Sequence, residues 1–340
     1  MNFLRILLFP FAVLYGLITS IRNFLFDKEI LKATSFPVPV IAVGNLSVGG
    51  TGKTPQIEYL IRLLSENYKV ATLSRGYKRK SKGFVLADKN SNAEILGDEP
   101  YQYFQRFPQI QVAVDADRTN GIQQLLKSEN PPQIILLDDA FQHRKVKADL
   151  YILLTAFNDL YCDDFVLPTG NLRESRSGAN RAKIVIVTKC PETLSIEEQA
   201  KIQARLNVTP DQKLFFTTIR YDHLVYSKCK EISVFDIHKR NKVLLAGIAK
   251  PEPFFHFLKN TQDLILTFPD HHQFSESEID AIKSKANQKI IITTEKDYVR
   301  IKDEFSPEQL YYLPIQTAFL DNKELFAQLI KEFINDFVPN

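Results

Sequence analysis

The stretch Ser47-Val48-Gly49-Gly50-Thr51-Gly52-Lys53-Thr54 follows the apolar run Pro39-Val40-Ile41-Ala42-Val43 and leads into Pro55-Gln56-Ile57-Glu58-Tyr59-Leu60-Ile61. Strand, glycine-rich turn and helix is the context in which such a string forms a phosphate-binding loop. The glycines let backbone N–H groups turn toward an anion, the following helix presents its positive end, and Lys53 adds a mobile cation for the outer phosphates. The Thr54 hydroxyl is placed to hold Mg²⁺. Ser47 stands where the usual pattern has its first glycine, while Gly49 and Gly50 keep the loop pliable. Residues 47–54 are therefore read as a nucleoside triphosphate site rather than as an ordinary strand-to-helix turn.

Working outward, apolar runs of strand length recur at 70–73, 111–114, 134–137, 150–154 and 184–187, with helical stretches between them. This alternation predicts an α/β fold of the P-loop NTPase type over 36–212, a mostly parallel sheet with helices on both faces. Residues 213–226 break the rhythm. Leu214-Phe215-Phe216-Thr217-Thr218-Ile219 and Leu224-Val225-Tyr226 read as two strands joined by Tyr221-Asp222-His223, a two-stranded hinge. From 227 to 340 the alternation restarts as a smaller α/β domain, with strands near 243–246, 264–268, 290–293 and 311–314. An amphipathic helix over about 323–337 closes it.

The 340 residues are 44% hydrophobic and 24% charged, an ordinary globular composition, and a formal charge of +3 with no basic stripe excludes a nucleic-acid protein. Cys162, Cys190 and Cys229 are too scattered for a disulfide framework or a zinc site, which fits a reducing, cytosolic setting. Within residues 1–35, the run 6–18 is apolar throughout and short for a spanning helix, with Arg5 before it and Arg22, Lys28 and Lys32 after it. Basic flanks favour a membrane-associated helix at the lipid surface; a buried core helix and a cleaved signal are the alternatives.

Several further residues carry chemistry. Ile134-Ile135-Leu136-Leu137-Asp138-Asp139 is an apolar strand ending in two acids, the arrangement by which a P-loop protein sets a carboxylate beside Mg²⁺. Asp98-Glu99-Pro100 is a second acidic cluster, which helix capping would also explain. Arg75, Arg118, Arg173 and Arg176 follow strand ends or lie in loop-like stretches, where an open α/β sheet gathers its ligands and arginine can steady phosphate charge. Pro269-Asp270-His271-His272 ends a strand of the second unit and matters to the first only if the two domains face each other. A guanine-specificity motif is missing its acid at Thr188-Lys189-Cys190-Pro191, which lowers a GTPase reading.

Taken in order, these motifs resemble those of the tetraacyldisaccharide 4′-kinases, the lipid A 4′-kinases of Gram-negative bacteria. The resemblance rests on Val43-Gly44-Asn45 with the phosphate loop, Leu73-Ser74-Arg75-Gly76-Tyr77, Gly97-Asp98-Glu99-Pro100, Asp115 to Arg118, and Leu137-Asp138-Asp139-Ala140-Phe141-Gln142-His143. It continues through Gly170-Asn171-Leu172-Arg173-Glu174, Ala246-Gly247-Ile248-Ala249-Lys250-Pro251, Phe268-Pro269-Asp270-His271-His272 and Thr293-Thr294-Glu295-Lys296-Asp297. It implies an ATP- and Mg²⁺-dependent kinase at the cytoplasmic face of the inner membrane. Such an enzyme phosphorylates the 4′-hydroxyl of an acylated glucosamine disaccharide 1-phosphate to give lipid IVA. The resemblance also implies roles: Asp98 receives the hydroxyl proton with His271 as its partner, His272 leaving that assignment open. Glu99, Asp138, Asp139 and Thr54 would form the metal and nucleotide shell, and Arg118, Gln142, Asn171 and Arg173 would lie near phosphate or sugar. The rival readings are a membrane-recruited regulatory P-loop ATPase or GTPase and a cytosolic small-molecule kinase.

Overall fold

The computed structural model describes residues 3–270 and 272–338. Among the described residues fifteen strands follow in chain order: β1 (Val40–Asn45), β2 (Val70–Ser74), β3 (Val85–Leu86), β4 (Gln111–Val114), β5 (Ile134–Asp138), β6 (Leu150–Ala156), β7 (Ile184–Thr188) and β8 (Lys213–Tyr221). After them come β9 (Leu224–Tyr226), β10 (Glu231–Ser233), β11 (Val243–Ala246), β12 (Leu264–Thr267), β13 (Ile291–Thr294), β14 (Leu310–Leu313) and β15 (Ile315–Phe319). They form two sheets. The nine-stranded one runs β15-β8-β7-β6-β1-β5-β2-β4-β3 and the six-stranded one β10-β9-β14-β13-β11-β12. In the first, only the edge strands β15 and β3 are antiparallel to their neighbours.

Burial explains why the strands read as continuous apolar runs rather than alternating ones. Along β1, Ile41 and Val43 enter a core with Ile57, Leu60, Ile61 and Leu64 of the helix Lys53–Leu64, while Val40 and Ala42 enter the core on the opposite face with Leu73, Ile122 and Leu137. The second sheet repeats the scheme, with Leu244 and Ala246 in one cluster and Val243 and Leu245 in another. The helix Glu295–Ile301, which follows the carboxyl end of β13, packs against the helix Asp98–Arg106 of the first unit, and the carboxyl ends of strands are where an open α/β sheet binds ligands.

Two expectations change. Residues 213–226 are not a paired two-stranded hinge: β8 is an interior strand of the first sheet, between β7 and β15, and β9 belongs to the second. The run 215–218 is buried on both faces, which an isolated hinge ribbon would not be. The C-terminal helix, Lys323–Asn335, does not close the second unit. β15 pairs antiparallel with β8 from Ile315↔Tyr221 to Phe319↔Thr217 and so returns the chain to the first sheet. There Phe326 packs 5.2 Å from Phe215 and 4.7 Å from Phe319, ring centre to ring centre, and Ile330 and Ile334 complete the stripe. The chain thus crosses between the sheets twice, at Asp222-His223 and at Pro314, and the Asp222 N–H donates to the Pro314 carbonyl at 3.0 Å.

The N-terminal helix is longer than its apolar run, spanning Phe9–Asp27. Phe11, Leu14, Leu17, Ile18, Ile21 and Phe24 are exposed, and Ala12 is its one buried residue, so the core-helix alternative does not hold.

Candidate active site

The phosphate loop is built by close approach and then pinned from both sides. A Cβ on Gly44, at the end of β1, would come within 2.6 Å of the Phe141 Cβ, so only glycine lets the Asp138 to His143 segment pass. Gly49 and Gly52 take positive φ, +126° and +83°, and Gly52 delivers the chain into the helix at Lys53. On one side the Val48 N–H donates to the Asn171 carbonyl at 2.7 Å and the Arg173 N–H to the Leu46 carbonyl at 2.7 Å. On the other, the Thr188 hydroxyl donates to the Thr51 carbonyl at 2.7 Å and the Lys189 ammonium to the Gly50 carbonyl at 2.5 Å. Thr188 and Lys189, read only as a degenerate guanine motif, are braces of the loop.

Lys53 projects from that loop to within 3.3 Å of Asn45 Oδ1 and 3.6 Å of Asp139 Oδ1. Arg173 bonds both carboxylate oxygens of Asp139, at 3.2 and 2.8 Å, and the Asn45 side chain. Burial works against ionisation of Asp139, yet Lys53 and Arg173 hold its carboxyl below the ordinary range. Asp138 behaves oppositely: burial, and then the charge of Asp139, push it up to about 6 against the pull of Lys53. Its Oδ2 accepts from the Tyr103 hydroxyl at 3.1 Å, and the Tyr103 hydroxyl also bonds Thr54. Its Oδ1 is buried with no hydrogen-bond partner among the described residues.

Asp98 and Glu99 open the helix Asp98–Arg106 behind Gly97, at φ +91°. Neither acts as an N-cap side chain. Asp98 accepts from Arg300 at 2.5 Å and Glu99 from Lys296 at 2.7 Å, both donors coming from the helix Glu295–Ile301 of the second unit. Burial opposes ionisation of Glu99, but Lys296 brings it below the ordinary value, and the charge of Glu99 also acts on Asp138.

Arg118 is buried at the start of the helix Arg118–Leu126, bonded to the Asp115 and Ala116 carbonyls, with Nε left without a partner among the described residues. Burial lowers it to about 10 against the attraction of Asp138, and Arg75 opposes it from the exposed end of β2. Gln142 is committed elsewhere, its amide donating to the Asn45 carbonyl at 3.0 Å and to Glu174 at 2.9 Å. The Asn171 side chain accepts from Arg5 at 3.0 Å.

His271 lies outside the described residues. His272 is engaged with Glu278 at 3.0 Å and stacks on Phe268 at 5.0 Å between ring centres. Asp270 acts electrostatically on Lys296, the cation that holds Glu99. Arg176 is turned away, bonded to the Asp164 carbonyl. Sequence reasoning gave no role to Asn45, Tyr103, Lys296 or Arg300; Asn45 and Lys296 at least stand inside motifs it had singled out.

Among the described residues no three acidic, histidine or cysteine side chains form a ready metal cage. Mg²⁺ does not ask for one, since it is bound by one or two carboxylates together with phosphates and waters. The orphaned Asp138 oxygen, on a carboxylate that shares the Tyr103 hydroxyl with Thr54, suits such a partial shell.

A glycine loop on a mostly parallel sheet, its lysine facing two acids at the end of the neighbouring strand, defines a P-loop phosphotransferase of the α/β class. The chain matches the family model LpxK, tetraacyldisaccharide-1-P 4′-kinase, over residues 4–334. It is similar to the tetraacyldisaccharide 4′-kinase of Flavobacterium johnsoniae, 67% identical over 99% of both chains, and to that of Bacteroides thetaiotaomicron, 47% identical over 98% of this chain and 94% of that one. It also resembles the crystal structure of the Aquifex aeolicus LpxK "apo" form in complex with ATP, with a TM-score of 0.80 and 32% identity over 97% of this chain and 99% of that one. The chain belongs to the tetraacyldisaccharide 4′-kinase family and is a kinase of lipid A biosynthesis. The regulatory ATPase alternative is not favoured.

Proposed function

We propose that the chain transfers the γ-phosphate of ATP to the 4′-hydroxyl of a tetraacylated glucosamine disaccharide 1-phosphate, giving lipid IVA. The observation that carries the site assignment is the convergence of three chain segments: Lys53 and Thr54 from the loop, Asp138 at the end of β5 with Asp139 after it, and Asp98 and Glu99 from a helix start. Lys53 holds the outer phosphates. Arg118, Arg75 and Arg173 steady phosphate charge, and the loop amides of residues 47–54 cradle the rest. The sugar hydroxyl oxygen attacks the γ-phosphorus, the bond to the bridging oxygen of ADP breaks, and the hydroxyl proton passes to Asp98. His271, which the family resemblance implies, is the proposed partner of Asp98, and the adjacent His272 is engaged with Glu278.

Thr54, Asp138, Asp139 and Glu99 would hold Mg²⁺, whose chemistry there is to neutralise charge on the transferring phosphoryl group. Asp138 contributes the unpartnered oxygen, while Glu99 and Asp139 already carry cationic partners.

The helix Phe9–Asp27 is proposed to lie on the cytoplasmic leaflet of the inner membrane. It is long and apolar enough to cross a bilayer. Its inner side is nevertheless tied to the catalytic unit: the Tyr15 hydroxyl donates to the Arg173 carbonyl at 2.8 Å, Arg22 to the Gln142 carbonyl at 2.8 Å, and Asn23 to Glu174 at 2.5 Å. A helix fixed along the protein in this way presents its exposed apolar side to lipid and seats the acylated substrate beside Arg173 and Gln142.

Incubation with γ-labelled ATP and the disaccharide 1-phosphate, followed by separation of the lipids, tests the reading. Label in a bisphosphorylated lipid is expected. Label released only as inorganic phosphate would overturn it.

A further inference from the structure

The motif Thr293-Thr294-Glu295-Lys296-Asp297 has no part in the transfer derived above, yet its helix makes a row of charged contacts with the helix that carries Asp98. Arg300 donates to Asp98 and Lys296 to Glu99. Glu295 accepts from Arg106 at 2.9 Å, and the Lys302 ammonium donates to the Tyr101 hydroxyl and to Gln105, both at 2.8 Å. We propose that Arg300, backed by Asp297, is a positioning residue through which the second unit sets the orientation of the proton acceptor Asp98. Lys296 does the same for Glu99. This rests on the assignment of Asp98 made above.

The backing is what separates Arg300 from a surface ion pair. Asp297 is fully buried, and it accepts from Arg300 at 3.1 Å, from the Gly247 N–H at 2.8 Å and from the Thr294 hydroxyl at 2.7 Å. Gly247 follows β11 and Thr294 ends β13, so Asp297 is held by the ends of two adjacent strands. A Cβ on Gly247 would lie 3.0 Å from an Asp297 oxygen and 3.2 Å from the Pro269 carbonyl, which accounts for glycine in that motif as well. The order is therefore strand ends, Asp297, Arg300, Asp98. Each link is a hydrogen bond, two of them between opposite charges, and the Arg300 side chain is only 4% exposed. A planar guanidinium with one edge on Asp297 and another on Asp98 fixes direction as well as charge, which a lysine would do less well.

The test compares Arg300→Met, Arg300→Lys and Lys302→Met with the wild-type chain in the labelled-lipid assay. Lys302 shares the interface but touches neither acid. Arg300→Met should lower kcat on the order of 10- to 100-fold, the usual effect of losing a group that orients a functional side chain, with KM for ATP changed less than about twofold. Arg300→Lys should recover part of the loss, and Lys302→Met should leave kcat near wild type at a similar thermal midpoint. Asp98→Asn, measured alongside, separates the two levels. If Asp98→Asn keeps wild-type kcat, the proton-acceptor assignment itself fails. If Asp98→Asn is inactive while Arg300→Met turns over normally, positioning alone fails. It also fails if Arg300→Met and Lys302→Met lose kcat equally and in step with the thermal midpoint, since Arg300 would then be a docking contact. The Asp98→Asn, Arg300→Met double variant should be no slower than Asp98→Asn.

Discussion

Glu295→Gln tests the electrostatics of the contact between the two units, because Glu295 and Glu58 share one nitrogen of Arg106, at 2.9 and 2.8 Å. Arg62 supports Glu58 at 3.0 Å, which leaves Glu295 the weaker claimant. Burial, and then the charge of Glu58, push Glu295 from an ordinary 4.5 up to about 8 despite Arg106. Between those values the folded chain keeps a proton that the unfolded chain has released. The stabilising contribution of Glu295 is therefore complete below about pH 4.5 and is lost as pH rises toward 8. Glutamine mimics the protonated side chain and does not titrate. At about 1.4 kcal/mol per pH unit for one proton, the stability of Glu295→Gln relative to wild type should climb by roughly 2 to 3 kcal/mol from pH 5 to pH 7. Equilibrium urea unfolding followed by circular dichroism at pH 5, 6 and 7 gives the difference directly, since the remaining titrations are common to both chains. A flat difference, or one that falls with pH, would refute this by showing Glu295 ionised against Arg106 as an ordinary ion pair.

Lys53→Ala should lower kcat by a factor on the order of 10² to 10³, the cost of removing one donor to developing phosphoryl charge, while far-UV circular dichroism stays unchanged; turnover within threefold of wild type would remove Lys53 from the site. Leu14→Asp with Leu17→Asp, both more than half exposed, should abolish flotation with anionic vesicles at an unchanged thermal midpoint, and persistent flotation would mean that other surfaces hold the membrane. Gly44→Ala should destabilise the first unit by about 1 to 3 kcal/mol through the 2.6 Å approach to Phe141, and an unchanged urea midpoint would show that the segment after β5 moves aside freely.

The phosphate loop and the acids after β5 were legible because their chemistry is local: a strand, a turn and a helix within a few residues fix where Lys53 points. The destination of the C-terminal helix was not. Its apolar stripe at Phe326, Ile330 and Ile334 says that one face is buried, but periodicity does not say against which sheet. That is decided by β15 pairing with β8, a contact between residues nearly a hundred positions apart. The same limit applies to Lys189, whose sequence neighbours suggested a failed base-recognition motif, whereas its ammonium, from the chain just after β7, reaches the Gly50 carbonyl of the loop after β1. Arg300 offered no local signal at all, because a single arginine in an amphipathic helix is ordinarily solvated.

The placement of these charges divides the reaction between the two sheets. Lys53, Thr54, Asp138 and Asp139 all stand on the first sheet or its loops, so nucleotide can be held by that unit alone. Asp98 stands on the first unit too, but its bonded arginine is anchored in the second, through Asp297 to the ends of β11 and β13. On the role proposed for Asp98, a proton acceptor oriented from the far side of two chain crossings would lose its orientation if the units parted. Water reaching the γ-phosphate in such a parted state would meet no oriented base, whereas the sugar hydroxyl would meet one with the helix Glu295–Ile301 seated against the helix Asp98–Arg106. Seating would thus favour transfer to the lipid over idle hydrolysis, through charges that lie outside the phosphate loop.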